Sequence, residues 1–238
     1  MGFNADIIDS LDQWRVELTT ATQRLLGDTI ALSDNDWRAP SLLAGWSRAH
    51  VATHLSHHGE TLAAKLRELN ATHAPLAWDL PLSDNELWEG ARRGAVCLQE
   101  SLDQSATDLM LALDQMDEAA WATTITTSPG SLPARTLVVD RLNEVIVHHV
   151  DLQLGLDFPD LEPGLVRLLL KWNVFRSAPR FSKVELTMIT DEGYSTVVGT
   201  GVPVTVRGNE VSLLGWITGR KDSSSILGAE ELDLAGPV

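Results

Sequence analysis

The stretch from Leu137 to Gly155, LVVDRLNEVIVHHVDLQLG, constrains this chain more than any other. Its apolar residues, Leu137, Val138, Val139, Leu142, Val145, Ile146, Val147, Val150 and Leu152, lie almost all round a helical wheel, the pattern of a helix buried on most sides. Such a helix should avoid charge, yet Asp140, Glu144, His148 and Asp151 share one stripe about 80° wide. Burying unpaired charges costs several kcal/mol each, so the stripe must face solvent, be ion-paired or hold a cation. The i, i+4 spacing of Glu144 and His148 stacks two metal-ligand types roughly 5–6 Å apart at Cβ. The same spacing also serves a Glu–His hydrogen-bonded pair on a helix edge, and periodicity leaves both readings open.

Three further long helices are expected. The first runs from about Ala5 to Ala31 on Ile7, Ile8, Leu11, Trp14, Leu18, Leu25 and Leu26. After the cap and turn of Ser33–Trp37 and the breaks at Pro40 and Gly45, Ser47 caps a second helix reaching about Leu69. That helix carries His50, His54, His57 and His58. On the wheel His58 lies near the middle of the apolar face and His54 at its margin, while His50 and His57 point further toward solvent. The wheel does not say which of them is a ligand. A capping box, Ser83 with Glu86, opens a third helix predicted to run unbroken from about Asp84 to Met116. Thr72–Pro81 reads as a loop, and Thr123–Pro133, with Ser128-Pro129-Gly130 as its turn, as a small hairpin or an ordered loop. Four such helices make a four-helix bundle, a fold that builds metal sites from facing helices.

Beyond Gly155 the pattern changes. An amphipathic helix at Glu162–Phe175 precedes β signals at Val184–Ile189, Tyr194–Gly199 and Val202–Val206, and a short helix at Val211–Thr218. The expected organisation is α+β in two domains, a bundle over residues 1–156 and a small α+β domain over 157–238.

Composition excludes several classes of function. A formal charge of −15 over 238 residues, with no local basic patch, argues against nucleic acid and anionic membranes as partners. No apolar run approaches the roughly 20 residues of a membrane span and no leader pattern opens the chain, so a cytoplasmic protein is expected. The single cysteine, Cys97, rules out an intramolecular disulfide and reads as a buried small hydrophobe.

Gly45-Trp46-Ser47-Arg48 with Val51 and His54-Leu55, and Arg141-Leu142-Asn143-Glu144-Val145-Ile146-Val147-His148-His149-Val150-Asp151, resemble two motifs of the DinB-like metal-binding bundles. The likeness is to their mycothiol-dependent maleylpyruvate isomerase branch. Val206-Arg207-Gly208-Asn209, Leu213-Leu214-Gly215-Trp216 and Gly219-Arg220 are similar to that branch's C-terminal domain. The resemblance implies His54, Glu144 and His148 as metal ligands, zinc as the ion and mycothiol as an external thiol cosubstrate. It makes Asp151 an acceptor that orients a ligand or a polar group for the thiol. Arg220 becomes a substrate or thiol anchor at the active-site cleft, with a helix-terminal charge facing solvent as the alternative. His58 occupies no ligand position in the pattern, and Trp46 and Trp216 are expected to pack at the bundle and domain junctions. Two histidines and one carboxylate leave a coordination position open, as in catalytic zinc sites. The expected activity is thiol-dependent cis–trans isomerisation of a small-molecule substrate, by a monomer or small homo-oligomer. Transfer of the thiol to electrophiles, or metal and thiol binding without turnover, are the rivals.

Overall fold

The computed structural model describes residues 10–78, 82–128, 130–230 and 232. The expected helix start at Ala5, with Ile7 and Ile8, lies outside the described residues, as do Asp79–Pro81 of the expected loop and Pro129 of the expected turn. Two compact units are present, one running to Thr127 and resuming over Ser131–Leu156, the other running from Asp157 onward.

The first unit is a bundle of four long helices: α1 (Leu11–Thr29), α3 (Arg48–Thr72), α5 (Ala95–Asp114) and α7 (Thr136–Leu152). Each packs on two others, α1 on α7 and α5, α3 on α5 and α7. Every residue of α7 is buried, as its all-round apolar pattern predicts. Short pieces cover the ends: α2 (Asp34–Arg38), α4 (Asp84–Gly90) and α6 (Glu118–Ala122). Strands β1 (Leu76–Ala77), β2 (Thr124–Thr127) and β3 (Gly130–Pro133) form a small sheet in that order, β1 parallel to β2.

The predicted third helix is broken. It is α4 followed by α5, with a turn between them. Gly90 ends α4 against α3 so closely that a Cβ there would lie 2.3 Å from Thr53 Cγ2. Gly94 then caps α5, whose first amide, at Ala95, donates to Asp34 Oδ1 at 2.7 Å. Two glycines four residues apart permit the turn, and the carboxylate of α2 satisfies an otherwise orphaned helix N–H. Restarting the helix also sets Cys97 beside exposed Val96, while Leu98, Leu102 and Leu109 take the core; Cys97 is exposed, against expectation.

The second unit holds a 3₁₀ turn at Phe158–Asp160, helix α8 (Pro163–Ser177), a second 3₁₀ turn at Ala178–Phe181, strands β4 (Val184–Thr190), β5 (Ser195–Gly199) and β6 (Val202–Gly208), and helix α9 (Glu210–Ile217). The sheet order is β5-β4-β6, with β4 antiparallel to β5 and parallel to β6. The β5–β6 connection crosses the end of β4 so tightly that a Cβ at Gly201 would lie 2.2 Å from the Lys183 carbonyl oxygen. Asn209 caps α9 through Ser212, and Arg167 of α8 pairs with Glu210 at 2.6 Å. Among the described residues no helix is long and apolar enough to cross a membrane.

Candidate metal centre

The register of α3 against α7 builds the site. Arg48, in the first turn of α3, donates through Nε to the Leu152 carbonyl at 2.6 Å, placing a guanidinium at the C-terminus of α7 where helix carbonyls lack partners. The two helices therefore start and end level, and steps down α3 meet steps up α7. His54 faces Glu144, and one turn further on His58 faces Asp140.

His54 Nε2 lies 3.1 Å from Glu144 Oε2, and His148 Nε2 lies 3.2 Å from the same oxygen. The two imidazole rings are 4.7 Å apart, near perpendicular. All three ligand atoms fall within 4.8 Å of one another. His148 Nδ1 lies 2.8 Å from Asp151 Oδ2, whose side chain is fully buried. In the neutral ring that contact puts the proton on Nδ1 and leaves the Nε2 lone pair aimed into the centre.

A divalent cation suits these residues on two counts. A neutral His148 that donates from Nδ1 would set its Nε2 lone pair against a carboxylate oxygen, a repulsion that an ion between them removes. Along buried α7, three carboxylates (Asp140, Glu144, Asp151) face one guanidinium (Arg141), a formal excess of two negative charges. Burial works against a charge on His148. Hydrogen bonds to Asp151 and Glu144, with their carboxylate charges, outweigh it and hold the ring above its ordinary pKa. Burial holds His54 below its own, against the pull of Glu144.

The centre opens on the α3 side. The His54 side chain is 27% exposed, against 10% for Glu144 and 11% for His148. Trp46 lies beside it, ring centroids 5.8 Å from His54, so this tryptophan borders the centre rather than only packing at the bundle's end. His50, expected toward solvent, is buried: its Nδ1 accepts from the Ser47 amide at 3.1 Å and its ring meets Trp88 edge-on at 4.3 Å. The covering elements, α4 and the loop before α3, are invisible on a wheel of one helix. His57 is half-buried.

A second buried cluster sits one turn below. Arg141 Nη1 donates to the Leu55 carbonyl at 2.9 Å and lies 3.2 Å from His58 Nδ1, while His58 Nε2 lies 3.3 Å from Asp140 Oδ2. Trp78, whose backbone N–H donates a hydrogen bond to the Thr126 carbonyl, has its ring centroid 6.2 Å from that of His58. Burial lowers the pKa of Arg141 to about 10, against the opposing charges of Glu144 and Asp140, so it remains charged at neutral pH. Sequence reasoning gave Arg141 no role, although a guanidinium inside an apolar helix was itself a signal.

Arg220 lies just past α9 in the second unit. It is buried, at 8% exposure, and donates to the Thr218 carbonyl, so it is not a solvent-facing helix terminus. Trp216 is buried as well.

Residues 18–153, more than half of the chain, match the family model of the mycothiol maleylpyruvate isomerase N-terminal domain. Two solved structures share the fold. One is described as the mycothiol-dependent maleylpyruvate isomerase, with a TM-score of 0.79, 20% identity and 96% of each chain covered. The other, a histidine-to-alanine variant described in the same words, has a TM-score of 0.79, 19% identity and 96% of each chain covered. No curated protein sequence gives a significant match.

Proposed function

The chain belongs to the family of the mycothiol maleylpyruvate isomerase N-terminal domain, and from that premise we propose that it is a zinc-dependent enzyme that uses mycothiol to isomerise a maleylpyruvate-like substrate. The observation that carries the reading is the convergence of His54, Glu144 and His148 from two helices within 4.8 Å. Two imidazoles and a carboxylate are a catalytic donor set, one that keeps a position for an exogenous ligand. Zinc held there would supply a Lewis acid that keeps a bound thiol as thiolate at neutral pH.

The chain's own residues prepare that chemistry. Asp151 fixes the tautomer and the orientation of His148. His54 stands on the exposed side, next to Trp46, where a ligand can approach. Cys97 lies on the exposed face of α5 and is not one of the converging groups, which supports a thiol from outside. The thiolate adds to the double bond conjugated with the substrate carbonyl, and the electron pair moves to the carbonyl oxygen. The resulting single bond rotates; the pair returns, expels the thiolate and restores a trans double bond, so no thiol is consumed. Arg220, as a buried guanidinium, is proposed to hold a carboxylate of the substrate or of the thiol.

Elemental analysis of the purified chain, paired with mycothiol-dependent turnover of maleylpyruvate and of a generic electrophile, tests the reading. The expected result is about one zinc per chain, as one three-donor site holds, together with conversion of maleylpyruvate. Conjugation of the electrophile alone would make the protein a thiol transferase, and zinc without turnover would make it a binding protein. Arg220→Ala should keep its zinc and lose turnover; an unchanged rate removes Arg220 from the reaction.

A further inference from the structure

The cluster one turn below the donors has a definite hydrogen-bond polarity. A guanidinium offers only donors. His58 Nδ1, 3.2 Å from Arg141 Nη1, is therefore the accepting nitrogen, and the ring's proton sits on Nε2, which faces Asp140 at 3.3 Å. The one lone pair of the neutral His58 ring, on Nδ1, is taken by Arg141, which leaves none for a metal. The same Nη1 reaches the Leu55 carbonyl, the residue after His54 in α3, while Arg141 stands three residues before Glu144 in α7. One buried side chain thus joins the two helices that supply the donors.

The seat of the guanidinium is shaped for it. Gly59 lines it, and a Cβ at Gly59 would lie 3.2 Å from Arg141 Nη2 and 3.3 Å from Ser105 Cβ. Building upon the metal reading given above, we infer that Arg141 is a positioning residue of the centre. It braces α3 against α7 one turn from the donors, setting the approach of His54 to Glu144 and holding the His58 ring with Nε2 turned toward Asp140. His58 is part of the brace and not a spare ligand.

Zinc affinity of the full chain, measured by competition with a chromogenic chelator, tests this directly. Arg141→Met should bind zinc about 10–100-fold more weakly, the usual cost of losing a group that orients ligands, with its helical circular dichroism retained before zinc is added. Gly59→Ala covers the case in which that variant does not fold: it keeps the guanidinium and adds a helix-favouring methyl, but crowds the seat, and it should weaken zinc binding in the same direction. Arg141→Lys, with an ammonium able to serve the same two acceptors, should recover part of the loss. Unchanged zinc affinity in a folded Arg141→Met, or in Gly59→Ala, overturns the brace. Nitrogen NMR of the metal-free chain supplies a readout independent of zinc: His58 should be the Nε2-protonated tautomer, and an Nδ1-protonated ring would overturn the inference. If the wild type binds no zinc, the metal reading falls, and the role of Arg141 at the centre falls with it.

Discussion

The two ring nitrogens of His148 have separate partners, and that division organises the centre. Nδ1 meets Asp151 at 2.8 Å and Nε2 meets Glu144 at 3.2 Å. Replacing Asp151 by alanine should leave Nδ1–H buried without an acceptor and free the ring to turn. Zinc affinity should fall about 10–100-fold, measured by chelator competition; an affinity equal to that of the wild type would mean that Asp151 is only a buried helix residue. At this scale the i, i+4 pairing of Glu144 with His148 was legible, because both belong to one helix and one helix has a fixed period. The choice among four histidines on α3 was not legible from periodicity, because it depends on which side of α3 meets α7. The resemblance singled out His54, and the structure places it opposite Glu144.

Among the elements, α4 and α5 show how a periodic apolar stripe can hide a break. Gly90 lies where α4 abuts Thr53, and Gly90→Ala should force a shift that costs about 1–3 kcal/mol, read as a lower thermal midpoint; unchanged stability would mean that α4 moves aside freely. The start of α4 was legible in advance, since a capping box is a local motif. The Ser83 hydroxyl and amide both bond to Glu86, and they hold its carboxyl below the ordinary value of 4.5. A carboxyl depressed in the folded chain contributes stability above its unfolded pKa and loses it as the pH falls through the folded one. The difference in thermal midpoint between wild type and Ser83→Ala should therefore be full at neutral pH and shrink as the pH falls below 4.5. A difference that persists in acid would assign the effect to the hydroxyl's bond to the Glu86 amide alone.

For the whole molecule, α7 carries its formal excess of negative charge on residues that are all buried in the bundle. Stripping the centre with a chelator should lower the thermal midpoint: a ligand present at about 100 times its Kd contributes about 2.7 kcal/mol, or roughly 5–10 °C for a chain of this size. Calorimetry with and without chelator checks this, and equal midpoints would show that no cation is bound. The sequence by itself determined that α7 is buried, that its polar stripe lies on one face, that four long helices precede a strand-rich region, and where the caps at Ser33, Ser47 and Ser83 fall. These are properties of one segment read against one helical or strand period. Only the tertiary structure decided that the third helix breaks at Gly90, that Cys97 is exposed, that His50 is buried, and that Arg141 ties α3 to α7. Each of those depends on what a second element places beside the residue, and the period of a single helix carries no information about its neighbour.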